Sequence, residues 1–67
     1  MNKQTVTWRQ SYEPFKGRVW EFGLYRVQEY GRNEYNQNIY AAFHGDIKIY
    51  TSADLYTAQL HCEKRMS

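Results

Sequence analysis

One stretch of this chain repeats its apolar residues at a helical interval, and it comes last. Leu55, Ala58, Cys62 and Met66 are separated by three, four and four positions, which gathers them on one stripe of an α-helix. Tyr56 and Leu60 widen that stripe. Thr51 fits an N-cap with Asp54 three residues on, a capping-box arrangement, and Tyr50 and Leu55 stand where a hydrophobic staple is expected. Asp54 at the start and Lys64 and Arg65 at the end match the polarity of the helix dipole. A single helix covers only one face of a sheet. Whatever precedes residue 51 must therefore form a layer with one shielded side and one side left over.

The preceding residues read as strands. Residues 5–9 alternate and favour a short first strand, with residues 1–4 frayed. Residues 11–17 hold the only proline and a glycine and read as a loop. Residues 18–29, rich in Val, Trp, Phe, Tyr and Leu, form the longest strand candidate, with Gly23 marking a bulge or a close neighbour. Gly31, Arg32 and Asn33 suit a hairpin turn, followed by a return strand over residues 36–43. His44, Gly45 and Asp46 make a second turn, and residues 47–50 a last short strand. The expected fold is α+β: an antiparallel β-meander of three to four strands followed by one C-terminal α-helix packed on one sheet face, all in one domain spanning residues 1–67. A chain of 67 residues buries only roughly 60% of its extended surface, which leaves no room for a cofactor-binding α/β enzyme or a second domain.

These turns set an expected register. Tyr25 lies opposite Ile39 and Phe22 opposite Ala42. Phe43 faces Ile47, and Ala41 faces Ile49. Alternation then sorts the side chains into two faces. One is mostly aliphatic, with Val19, Tyr25, Val27, Ile39, Ala41, Phe43, Ile47 and Ile49, and is the natural seat for the helix. The other carries Trp20, Phe22, Arg26, Tyr40, Lys48 and Tyr50. Seven tyrosines, three phenylalanines and two tryptophans are more ring surface than one small core uses. Rings beside cations on an uncovered face have the composition of an interaction surface. Trp20, Phe22, Arg26, Tyr40, Lys48 and Tyr50 are thus the expected partner-binding residues, and a homodimer is one way to satisfy them.

Other chemistry finds little support. Cys62 is the only cysteine, so no intrachain disulfide forms, and a reducing, cytoplasmic setting is expected. His61 and Cys62 are neighbours on a helix and point about 100° apart, and the remaining His44 and scattered carboxylates do not make a zinc set. No phosphate-binding loop occurs, the first ten residues hold no apolar run and so no signal peptide is expected, and no polybasic run suggests a membrane. Neither an enzyme, a cofactor nor a metal is expected. The net charge of +2 fits neither an acidic mimic of nucleic acid nor a strongly cationic clamp.

Residues 35–67, with Tyr50, Thr51, Ser52, Ala53 and Asp54 entering a helix that contains Ala58, loosely resemble the three-stranded sheet plus helix of phage-integrase arm-binding domains and their plant transcription-factor counterparts. That resemblance implies a sheet that enters the DNA major groove, although the dense Arg/Lys strands of those domains are missing here. The short Tyr/Asn/Gln-bearing chain also resembles the accessory proteins of phages and mobile elements in style. The expected function is a small non-enzymatic regulator or inhibitor that occupies another protein's surface; the alternative is a small DNA- or RNA-binding module.

Overall fold

The computed structural model describes residues 6–66; the expected frayed start and Thr5 of the expected first strand lie outside the described residues. Five strands run in chain order: β1 (Arg9–Glu13), β2 (Gly17–Phe22), β3 (Tyr25–Arg32), β4 (Asn38–His44) and β5 (Ile47–Ser52). They form one antiparallel sheet of order β1-β2-β3-β4-β5. Helix α1 (Leu55–Met66) follows. The α+β class stands, with five strands in place of three or four.

Residues 6–8 of the expected first strand are not strand, and two turns account for the five strands seen. Residues 11–17 do not stay open as a loop. Their first half pairs as β1, and Lys16 N–H donates to the Glu13 carbonyl at 3.0 Å to close the turn. The long candidate over residues 18–29 breaks at Gly23 and Leu24 into a two-residue hairpin, with Phe22 opposite Tyr25. Gly23 adopts φ +59° and Leu24 does not go positive, the glycine-first pattern of a type II′ turn, whose twist suits a hairpin. Gly45 and Asp46 repeat that pattern between His44 and Ile47, and Gly45 N–H donates to the Leu24 carbonyl at 2.9 Å, tying the two turns together.

The helix starts later than its expected cap. Thr51 belongs to β5, and Asp54 is the capping residue: its Oδ2 accepts from Thr57 N–H at 2.9 Å and from Thr57 Oγ1 at 2.7 Å. Ser52 Oγ accepts in turn from Asp54 N–H at 3.0 Å. These bonds satisfy donors that a helix start leaves unpaired. The centre of the expected apolar stripe is correct, for Ala58 and Cys62 are fully buried and Leu55 and Met66 pack around them, whereas Tyr56, expected to widen it, is exposed.

Helix α1 lies on β3, β4 and β5. Beneath it, Trp20, Val27 and Ala42 stand opposite one another across three strands and form the core with Ala58 and Cys62. The two alanines let helix and sheet approach closely. Trp20 supplies the bulk. Burying roughly 200 Å² of indole at about 25 cal/mol per Å² is worth on the order of 5 kcal/mol. Before β1, Trp8 packs on this core, and its Nε1 donates to Glu63 Oε2 at 2.9 Å across the helix.

Candidate interaction surface

The two-residue turn at Gly23 and Leu24 decides which side chains share a face. Cross-strand partners point to the same side of a sheet, so Trp20 goes with Val27, and Glu21 goes with Arg26. Had residues 18–29 been one strand, Trp20 and Arg26 would have shared a face. The observed register separates them, and it pairs Tyr25 with His44 and Val27 with Ala42, not with Ile39 or Phe22.

The six expected binding residues consequently divide. Trp20, Phe22, Tyr40 and Tyr50 lie on the helix side. Trp20 is only 6% exposed. Tyr40 meets it edge-on at 5.9 Å, and Tyr50 stacks on His61 of the helix at 4.3 Å. Phe22 contacts Trp8 at 6.4 Å and borders a shallow cleft of about 430 Å³ with Tyr25, His44, Arg65 and Met66. These rings belong to the core and its margin, which corrects the expectation of a single aromatic and cationic face containing all six. Arg26 and Lys48 alone remain on the other side.

That other side carries no helix. Its central positions are nevertheless closed: Val19 and Ala41 are 0% exposed and Gln28 is 9% exposed. Four side chains from β3, β4 and β5 meet on this side. The Arg26 guanidinium lies 4.6 Å from the Phe43 ring centre, Phe43 meets Tyr30 in a T-shaped contact at 6.5 Å, and Lys48 Nζ sits 4.6 Å over the Tyr30 ring. Cation–ring contacts of this kind contribute about 0.5–2 kcal/mol each. Together they form an arch from β3 across β4 to β5.

Two polar atoms on this side are left over. Arg26 Nε and Gln28 Oε1 are buried without a hydrogen-bond partner within the described chain. Leaving such a group unpaired costs about 1–3 kcal/mol. Arg9, Glu21, Arg26 and Lys48 also have no ion-pair partner among the described residues. Sequence reasoning placed Phe43 on the shielded face and gave Tyr30 and Gln28 no role. The signal that locates them is the glycine-first pair Gly23-Leu24, read as a hairpin turn in place of a bulge.

Burial pushes the Cys62 thiol up to about 11, so it is a protonated core residue and a poor nucleophile. Among the described residues, no three His, Cys, Asp or Glu side chains gather where they could hold a metal ion. Among the described residues, no helix is long and apolar enough to cross a membrane. No protein-family model matches this chain, and neither a curated protein nor a solved structure matches it.

Proposed function

We propose that this chain is a small non-catalytic protein-binding module, a regulator or inhibitor that acts by occupying a protein surface, and that its docking surface is the helix-free face of the sheet. One observation carries the reading: on the sheet side without the helix, Arg26, Phe43, Tyr30 and Lys48 pack cation on ring, with the Tyr30 ring half exposed and Lys48 exposed. Such a face gains from a partner that brings an acceptor for the exposed Lys48 ammonium and apolar surface for the Tyr30 ring. Tyr, Phe and Arg anchors beside desolvated polar groups are what protein hot spots use. The sheet edges offer less. β1 is short and bears Arg9 and Glu13. β5 bears Lys48 and a register shift opposite Ala42 and Phe43. Charges and bulges are common means of blocking edge pairing.

A second reading rests on the same cations and rings: single-stranded nucleic acid stacks on such platforms. One experiment separates the two. A photo-cross-linking residue is placed at Phe43 on the docking face or at Tyr56, which is exposed on the helix. Protein adducts concentrated at position 43 support the proposal. Adducts removed by nuclease favour nucleic acid, and adducts equal at both positions overturn a docking face altogether.

A further inference from the structure

One residue from each strand falls in a single row across the helix-free face. The registers align Arg9 of β1, Glu21 of β2, Arg26 of β3, Phe43 of β4 and Lys48 of β5. Cations therefore stand on alternate strands, with an acid between the first two and a ring between the last two. Arg9 and Lys48 are exposed, and none of the row's charged groups has an ion-pair partner among the described residues. Asp46, in the turn before Lys48, makes no ion pair with it. Within the Arg26 guanidinium only Nε is buried without a partner, so the terminal nitrogens are the ones a ligand meets.

Resting on the reading that this face docks protein, we infer that the segment it takes is an acidic amphipathic α-helix of the partner, laid along this row, with carboxylates about two turns apart. Strands lie about 4.8 Å apart, so alternate strands place the cations about 10 Å apart. Seven helical residues advance about 10.5 Å and return to nearly the same face. A helix with an acid at every seventh position thus offers one carboxylate to each of Arg9, Arg26 and Lys48. An extended segment does not fit that interval. At about 3.3 Å per residue, three residues match the distance but turn the side chain to the opposite face, whereas two or four keep the face and reach about 7 or 13 Å. A helix also keeps its own backbone hydrogen bonds while it crosses the strands.

The residues between the cations set the rest of the pattern. A basic residue midway between the first two acids of the partner helix meets Glu21, and apolar residues between the second and third meet Phe43 and Tyr30. The same row discriminates against a strand of nucleic acid. Glu21 repels a uniformly charged backbone. Arg26 already lies over Phe43 and Lys48 over Tyr30, and the two rings meet T-shaped, so they do not present the parallel open faces on which bases stack. A cation held on a ring keeps donors for a carboxylate on its outer side, and a guanidinium supplies them in parallel pairs.

Fluorescence anisotropy of the full chain with a labelled synthetic helix of about 18 residues tests the inference. Glutamate recurs at every seventh position of this peptide, with lysine midway in the first interval, leucines in the second and alanine elsewhere. A dissociation constant on the order of 10 μM is expected. A permuted peptide of the same composition, with its acids spread to opposite faces, should bind at least about tenfold more weakly. Lys48→Glu should weaken binding of the first peptide about tenfold, and Lys64→Gln, which removes an exposed cation of α1, by less than about twofold. Replacing the third acid of the peptide by lysine should restore binding to the Lys48→Glu variant to within about threefold of the original pair, because exchanged charges pair again. Far-UV circular dichroism confirms that the variants are folded. Equal binding of the two peptides, failure of the charge exchange, or tighter binding of an oligothymidylate of about 12 nucleotides overturns the acidic helix. The position-43 cross-link needs no such peptide. Protein adducts there without peptide binding lose the acidic helix and keep the docking face, whereas a chain that shows neither loses both.

Discussion

Glu29 accepts two hydrogen bonds from Arg18, one at Oε1 from the backbone N–H at 2.8 Å and one at Oε2 from the guanidinium at 3.2 Å. The two residues close one end of the β2–β3 ladder, next to the Val19–Gln28 pair. Arg18 also lies 5.5 Å over the Trp20 ring. The clamp thus joins the strand end to the roof of the core.

These donors hold the Glu29 carboxyl below its ordinary value, the backbone N–H contributing most. Asp54 is lowered in the same way by the Thr57 hydroxyl and N–H. A carboxyl with a lower pKa in the folded chain binds fewer protons there than when unfolded. The stability it lends is complete above the ordinary carboxylate range and is lost as pH falls through the lowered value. Urea midpoints measured from about pH 7 to about pH 3 should decline, and Glu29→Gln should flatten that decline. An equal slope in both proteins shows that the clamp contributes nothing.

Gly17 depends on the same carboxylate. Its φ is +80°, and a Cβ built there would stand 2.7 Å from Glu29 Oε1. Gly17→Ala meets backbone strain of about 1–2 kcal/mol and must also displace the acceptor of Arg18 N–H. Chemical denaturation should show a loss of at least about 1 kcal/mol. In a Glu29→Ala background the loss should shrink to the strain alone, and a loss that is the same in both backgrounds sinks the coupling.

The helix and the strand character of the chain were legible because each rests on local periodicity. Leu55, Ala58 and Cys62 fall on one stripe whatever the sheet does. The candidate site was not legible, because it depends on parity. One two-residue turn at Gly23 and Leu24 exchanges the partners of every residue beyond it. Trp20 thereby joins Val27 under the helix, while Arg26 joins Phe43 outside. A second parity change comes from the register shift in β5 opposite Ala42 and Phe43, which lets Lys48 and Tyr50 lie on opposite faces although they are two residues apart. Such shifts leave little local trace, since alternation on either side of them remains intact.

Cys62 is fully buried beside Ala58, and desolvation raises its thiol from 9.0 to about 11. The folded chain therefore keeps this proton after the unfolded chain has lost it. The stability contribution is complete below the unfolded value of 9.0 and is lost as pH rises to about 11. Cys62→Ala should remove this part of the alkaline decline in the urea midpoint. A disulfide-exchange reagent should modify the native thiol only at the rate of chain opening, so that modification accelerates with urea. Fast modification of the native protein at neutral pH contradicts the burial.

Trp20 and Phe43 are both aromatic residues of the sheet, yet truncation should separate them. Trp20→Ala empties the centre of the core, where such a change costs about 3–5 kcal/mol. A domain of this length holds only about 0.05–0.15 kcal/mol per residue in total, so this variant should lose most or all of its far-UV signal at 25 °C, about the temperature to which these magnitudes apply. Phe43 lies in the arch, half-buried, with Arg26 over one side of its ring. Phe43→Ala should cost about 1 kcal/mol and keep the native spectrum, while the protein adducts formed at neighbouring Lys48 by a cross-linker disappear. If Phe43→Ala unfolds the chain and Trp20→Ala does not, the two faces have been assigned the wrong way round, and the docking surface lies beneath the helix side.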